Sequence, residues 1–449
     1  MTAEIAIMNR QGIALAADSA TSTILGTGFK VYNSANKLFA LSKIHPVGIM
    51  VYGNSAFMNI PWETLIKVFR ENLGTKKYDL LEGYATEFIN FLAHNQSLSS
   101  LSAEKELLQG LIYKHLNTLF ERANKTMHKK FTSSIPTNAE RLEVLQGELD
   151  KYFEVVNALE NYNNMPNYSR DDFMERFNDA VIMVVDELIG LDNITEVLKE
   201  SILELSFLLS YKNLFEYDND HAGIVIAGFG ENEIFPSVFT YNIDGIIQGG
   251  LRYELAGNST VGFTSSRDET TGAIIPFAQQ EMVHSFVEGI HPNLKELIQN
   301  SIKDILDKYP ALLKESLEGE NHSFPKEYVD KMFEINASIL SAFEIEMEEA
   351  ITEGYVHPLL ETLEILPKEE LASMAKALVN LTSLKRKVTL DAETVGGPID
   401  VAVITKGDGF IWMERKHYFQ PELNNQFFQN YFRSDYFDTN KTVSRPRNL

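Results

Sequence analysis

No cysteine occurs among the 449 residues. Disulfides, thiolate metal sites and a cysteine nucleophile are thereby excluded, while the redox compartment stays open. Positive charge is also scarce: 40 Lys and Arg stand against 63 Asp and Glu, for a formal charge of −23. Duplex nucleic acid and anionic membrane surfaces select for a basic excess, so neither is expected as a partner. Long apolar runs are missing too. The longest, Leu203 to Leu209, contains Glu204 and is far too short to span a bilayer. The start, MTAEIAIMNRQ, has acidic Glu4 where a secretory leader carries basic residues, so a cytoplasmic protein without a membrane anchor is expected. The ten histidines show no HExxH or paired spacing, and His45 and His357 precede prolines in turn-like contexts, so no metal site is expected. Ala227-Gly228-Phe229-Gly230 lacks the Lys-Ser/Thr and the helix of a phosphate loop, so no nucleotide cofactor is expected and any ATP would be used by a partner.

The apolar fraction of 44% is that of a globular chain. Its length exceeds one ordinary core, which predicts two or three domains or one domain with large insertions. The first fifty residues read as short strands: Glu4 to Asn9, Ile13 to Ala17 after a Gln11-Gly12 turn, and Lys37 to Leu41 paired with Val47 to Tyr52. Ile60, Leu65, Val68 and Phe69 then predict a helix to about Glu71, and a second runs from Leu80 to His94. From Ser97 to Tyr217 the spacing is helical. Asn193 and Glu196 form a capping-box pattern ahead of a stripe of Ile194, Val197, Leu198, Ile202 and Leu205, with Asn161 to Asp172 as an exposed loop.

Strands return at Gly223 to Gly228, Ser237 to Tyr241 and Gly245 to Gln248, with turns predicted at Phe229-Gly230 and Asp244-Gly245. After Gly272 the pattern predicts helix, with Pro276 near the start of one through Val287. Further helices fill Asn293 to Asn380, the last with Pro367 in its first turn. A closing hairpin joins Pro398 to Thr405 with Phe410 to Arg415. Neither end holds enough strand alone, so strands from both ends are expected to share one core.

Chemistry concentrates at the start. Removal of Met1 would leave Thr2 with a free α-amine beside its own hydroxyl, a nucleophile and a general base on one residue. An α-amine has a pKa of roughly 8, so near neutrality a useful fraction is able to take the hydroxyl proton. Thr2, the Ala16-Ala17-Asp18 tripeptide, Lys37 in KLFAL and Gly53 in MVYGN follow one another in the order and approximate spacing of the proteasome β-subunit family. Gly396 to Thr405 with Asp408-Gly409-Phe410 is similar to that family's closing strands. The chain thus resembles proteasome-like N-terminal nucleophile (Ntn) hydrolases over about a quarter of its length.

The resemblance implies an α+β fold, a four-layer αββα sandwich of two antiparallel sheets between helices. The core would comprise residues 1–96, 218–290 and 386–416, helical insertions 97–217 and 291–385, and a tail 417–449. It implies threonine-type hydrolysis of amide bonds, with Thr2 as nucleophile, Lys37 tuning its amine, Asp18 positioning Lys37 and Gly53 supplying oxyanion donors. Ser265 or Thr264, in Val261-Gly262-Phe263-Thr264-Ser265-Ser266, takes the family's supporting-serine position. Peptide or unfolded protein is the implied substrate, an ATP-dependent unfoldase an implied partner and a homo-oligomer the implied assembly. Where the family has an Asp and a Ser ahead of its double glycine, this chain has Ala392 and Val395. Two alternatives stay open: a non-catalytic proteasome-like subunit, and a hydrolase of small amides.

Overall fold

The computed structural model describes residues 3–25, 28–132, 135–163, 165–190, 194–218, 220–263, 270–318, 326–389, 395–426 and 429. The chain is mixed α and β with antiparallel strand pairs. Strands β1 (Glu4–Asn9), β2 (Gly12–Ala17), β3 (Thr21–Leu25), β4 (Gly28–Tyr32), β5 (Leu38–Ala40), β6 (Val47–Gly53), β7 (Ala56–Phe57) and β8 (Ile60–Pro61) come first. Helices α1 (Trp62–Leu73), α2 (Leu81–His94), α3 (Leu101–Lys130), α4 (Asn138–Ala158), α5 (Arg170–Leu188) and α6 (Glu196–Tyr211) follow. Then come β9 (Ala222–Gly228), β10 (Ser237–Ile247), β11 (Gly250–Thr260) and β12 (Gly272–Phe277). Helices α7 (Glu281–Glu288), α8 (Pro292–Glu318), α9 (Lys326–Ile351), α10 (His357–Ile365) and α11 (Lys368–Val388) precede the closing strands β13 (Asp400–Thr405) and β14 (Gly409–Glu414).

Two compact units divide these elements. The first takes the described residues of Met1–Leu38, Ile234–Pro236 and Ser259–Gln429. Its five-stranded sheet has the order β12-β1-β2-β13-β14, so strands from both ends of the chain are neighbours, with Ala402 opposite Leu15. Ile5, Ile7, Ala14, Ala16, Val401 and Val403 face Leu371, Ala375, Leu378 and Val379 of α11 in one core. Residues of the opposite parity, Ala6, Met8 and Leu15, are equally buried. A strand with both faces out of water reads as a continuous apolar run, which is what GIALAA shows.

The second unit takes the described residues of Phe39–Glu233 and Ser237–Asn258. Its sheet has the order β11-β10-β9-β6-β5. Ile224, Ile226, Ile49 and Tyr241 on one face pack with Trp62, Leu65 and Phe69 of α1 and Tyr84 and Phe88 of α2. Val225 and Ala227, which alternate with them, are buried as well. Helices α3 to α6 share a separate core through Leu108, Leu116, Leu149, Phe177, Ile202 and Leu209.

The two are joined to the sheet by Arg252. Its guanidinium is fully buried in β11, pairs with Asp244 of β10 at 2.7 Å, and donates to the carbonyls of Leu209 and Ser210 at the end of α6. Tyr162 stacks over it at 4.7 Å. A cation at a helix C-terminus meets carbonyls that have no partner within the helix, so this one side chain satisfies the end of α6 and holds it on the sheet.

Several sequence expectations are corrected. Asp244-Gly245 is not a turn: β10 runs straight through, and the reversal comes at Gln248 and Gly249, both at positive φ. Asp244 is bound by Arg252 instead of its own backbone. After Gly272 the chain is a strand, not a helix, and Pro276 lies in β12 opposite Ile5. β12 is an edge strand, where a missing N–H removes no required ladder bond. The helix of that region begins at Glu281. Thr195, not Asn193, caps α6 by accepting from the Leu198 amide, and Asn193 lies outside the described residues. Val197 is exposed, so the buried stripe is Leu198, Ile202, Leu205 and Leu209. Within the expected loop, α5 starts at Arg170, because Ser169 and Asp172 form a capping box. Pro367 is the N-cap of α11, one residue ahead of its first turn.

Candidate active site

β1 and β2 form a tight hairpin, so the residue after β2 returns to the residue before β1. Asp18 therefore meets Ala3: its amide donates to the Ala3 carbonyl at 3.1 Å, and its Oδ1 accepts from the Ala3 amide at 3.2 Å. The same oxygen accepts from Lys37 Nζ at 2.6 Å, with Asp18 fully buried and the Lys37 side chain only 8% exposed. Asp18 Oδ2 accepts from the amides of Gly396 at 2.9 Å and Ala20 at 3.2 Å. Three backbone amides and one ammonium thus hold a single carboxylate. Removing two charges from water costs several kcal/mol per ion, and only such complete coordination offsets it.

The segment from Val395 is built onto the same place. Ser19 donates its amide to the Gly396 carbonyl at 3.1 Å and its hydroxyl to the Pro398 carbonyl. Gly397 has φ of +77°, and a Cβ there would come within 2.9 Å of the Asn33 side chain. This double glycine allows the close approach of residues 395–398 to Ser19 and Asn33. Val395, where the resemblance puts a polar side chain, is buried and apolar.

Glu4 was not among the residues singled out from the sequence. It is fully buried, and neither carboxylate oxygen has a hydrogen-bond partner among the described residues. Burial pushes its pKa well above the ordinary carboxylate value; Lys37 opposes the shift and Asp18 adds to it. Burial of Glu4, electrostatically coupled to Asp18 and Lys37, thus favours its protonated form. Strand parity was the signal that could have found it, since Glu4 alternates with Ile5 and shares a face with Ala6 and Met8.

Asp18 and Lys37 are thus brought together. Thr2, Ser265 and Ala392 lie outside the described residues. Gly53 lies in the second unit, where it ends β6 at φ of +77°. A Cβ on it would come within 2.2 Å of the His221 carbonyl oxygen, to which the next amide, that of Asn54, donates at 3.1 Å. The glycine is required by that backbone contact, and the Asn54 amide is spent on it. Among the described residues no group of His, Asp and Glu is arranged to hold a metal ion, and no helix is long and apolar enough to cross a membrane. A scan against protein-family models finds none that matches the chain, and a search of curated proteins finds no match.

Proposed function

We propose that the chain is a proteasome-like Ntn hydrolase that cleaves amide bonds, in peptides or unfolded protein, through Thr2 freed by removal of Met1. The observation that carries this reading is the Asp18 carboxylate, which binds Lys37 and the Ala3 amide through one oxygen and so sets a buried ammonium beside the start of β1. In the proposed reaction the Thr2 amine takes the hydroxyl proton, directly or through one water. The oxygen then attacks the carbonyl carbon, the amine of the product leaves with that proton, and water releases the acyl group from Thr2. Lys37 lowers the amine's proton affinity by like-charge repulsion and stabilises the forming alkoxide. Gly53 and Ser265 keep the oxyanion and supporting roles that the resemblance implies.

The four-layer arrangement belongs to the same proposal. It is supported by sheets that each carry helices on one face while their opposite faces, Ala6 and Met8 in one and Val225 and Ala227 in the other, are also dry. Assembly into a homo-oligomer is supported by exposed apolar side chains on α8 and α9, including Leu297, Ile305, Leu312, Ile335 and Ile339. An ATP-dependent unfoldase remains the partner proposed by resemblance.

A second reading, an inactive subunit that keeps the fold, draws on buried Val395 and on the Asn54 amide spent on His221. Intact-mass measurement followed by reaction with a threonine-directed epoxyketone separates the two. The hydrolase reading expects a chain lacking Met1 that is labelled once at Thr2 and not at all as Thr2→Ala. Retention of Met1 with no labelling favours the inactive subunit, and equal labelling of Thr2→Ala overturns Thr2 as the nucleophile.

A further inference from the structure

A groove of about 690 Å3 opens within the second unit, between α3 and the β7–β8 hairpin. That volume is in the range of sites that bind ligands. Its floor is apolar, from Ala56, Met58, Leu107 and Leu111. Its charges are of one dominant sign: among the described residues, Glu106, Glu121, Asp218, Asp220 and Asp244 line it with a single ammonium, Lys114. Lys114 binds Asp218 and, at 2.6 Å, Asp220, while Arg252 neutralises Asp244 from beneath. Among the described residues, no cation lining the groove is paired with Glu106 or Glu121. Glu106 accepts a neutral hydrogen bond from Asn59 at 2.7 Å.

Dimensions then select the occupant. Glu106 and Glu121 stand on the groove side of α3, and at 1.5 Å per residue they are about 22 Å apart along the helix. An extended chain advances about 3.4 Å per residue, so the groove matches a segment of about six residues. A small cation would reach only one end. We propose that the groove binds an extended basic peptide segment, its apolar atoms on the Leu107–Leu111 floor and its Lys or Arg side chains against Glu106 and Glu121. This deepens the hydrolase reading and rests on it only for the fate of the peptide; the binding itself does not depend on Thr2.

The test is fluorescence anisotropy with a labelled hexapeptide of alternating Lys and Leu, its Glu-for-Lys counterpart and unlabelled spermine as competitor, on full-length wild type and Thr2→Ala. The expected result is saturable binding of the Lys peptide by both proteins and at least about tenfold weaker binding by Glu106→Gln/Glu121→Gln. Binding should weaken as salt rises, and the Glu peptide should not bind. Glu346→Gln/Glu349→Gln, on exposed α9, should bind as wild type does and so separates a local effect from a change in net charge. Equal loss in both double variants, unchanged affinity in the groove variant, no saturable binding, or spermine binding as tightly as the hexapeptide would each overturn the proposal. Failure of epoxyketone labelling with intact peptide binding would instead count against the hydrolase alone.

Discussion

The two units each bury an ion pair, and the partners of the two pairs differ in kind. Arg252 and Asp244 are enclosed by what they hold together: helix-end carbonyls, a tyrosine ring and two neighbouring strands. Every group there is structural, and sequence positions 162, 209, 244 and 252 fall within the second unit. The Asp18 carboxylate, paired with Lys37, is coordinated by the amides of Ala3 and Gly396, and it is electrostatically coupled to a buried acid whose pKa is raised. A structural pair gains nothing from a second acid with no hydrogen bond, whereas a site that must manage protons can use one. Burial alone does not separate the two pairs; the nature of their partners is the ground on which the Asp18–Lys37 pair is proposed to serve chemistry.

Four changes sharpen or break this contrast, beginning with the largest effect. Lys37→Met should reduce epoxyketone labelling by roughly 10²–10⁴-fold, while costing only about 1–3 kcal/mol of stability because Asp18 keeps its three amide donors. Equal loss of labelling and folding would make the pair structural. Arg252→Met should do the reverse, destabilising the second unit by about 3–5 kcal/mol as Asp244 and the α6 carbonyls lose their cation. Chemical denaturation followed separately in each unit would measure it, and an unchanged midpoint would remove Arg252 from its role.

His115 offers a smaller effect in the same unit. Its Nδ1 pairs with the Tyr152 hydroxyl at 2.6 Å, and burial lowers its pKa to about 4. The unfolded chain takes up this proton near the ordinary value of 6.5, so stability present above pH 6.5 should fall as pH drops toward 4, by on the order of 3 kcal/mol. His115→Gln should flatten that slope in pH-dependent denaturation. Glu4 has the opposite sign. Its raised pKa keeps a proton in the folded state, so its contribution is full below the ordinary carboxylate range and is lost as pH rises through the folded value. Glu4→Gln should therefore stabilise the protein in mild alkali by about 1–2 kcal/mol relative to wild type; an identical pH profile would contradict a neutral Glu4.

Much of this was legible in the residues, and the parts that were not share physical causes. α1 and α2 declare themselves by period, each with a buried side of regular spacing, and β1 and β2 by short apolar runs bounded by the Gln11-Gly12 turn. β11 was missed because its second half, Glu254 onward, is largely exposed and carries no alternation. β12 was misread because a proline marks a helix start more often than an edge strand, and edge position is a property of the whole sheet. Asp18 and Lys37 were found by resemblance, and their distance of 2.6 Å came only with the structure. Arg252 gave no signal, because a buried arginine looks like any other until the carbonyls around it are known. Glu106 and Glu121 lie on one face of α3, yet the opposing wall comes from residues 54–59, which no helical period reveals.

The hydrogen bond from Gly396 to Asp18 spans 378 residues of sequence. Synthesis proceeds from the N-terminus, so β1, β2 and Lys37 leave the ribosome long before their last donor exists. Until that donor arrives, Oδ2 of Asp18 lacks the Gly396 amide, and the sheet lacks β13 beside β2. The pair at the beginning of the chain is finished by its end, and a truncated or half-made copy carries an incomplete setting for whatever Lys37 does. The fold in this way makes synthesis as far as residue 396 a condition of the chemistry proposed for Lys37.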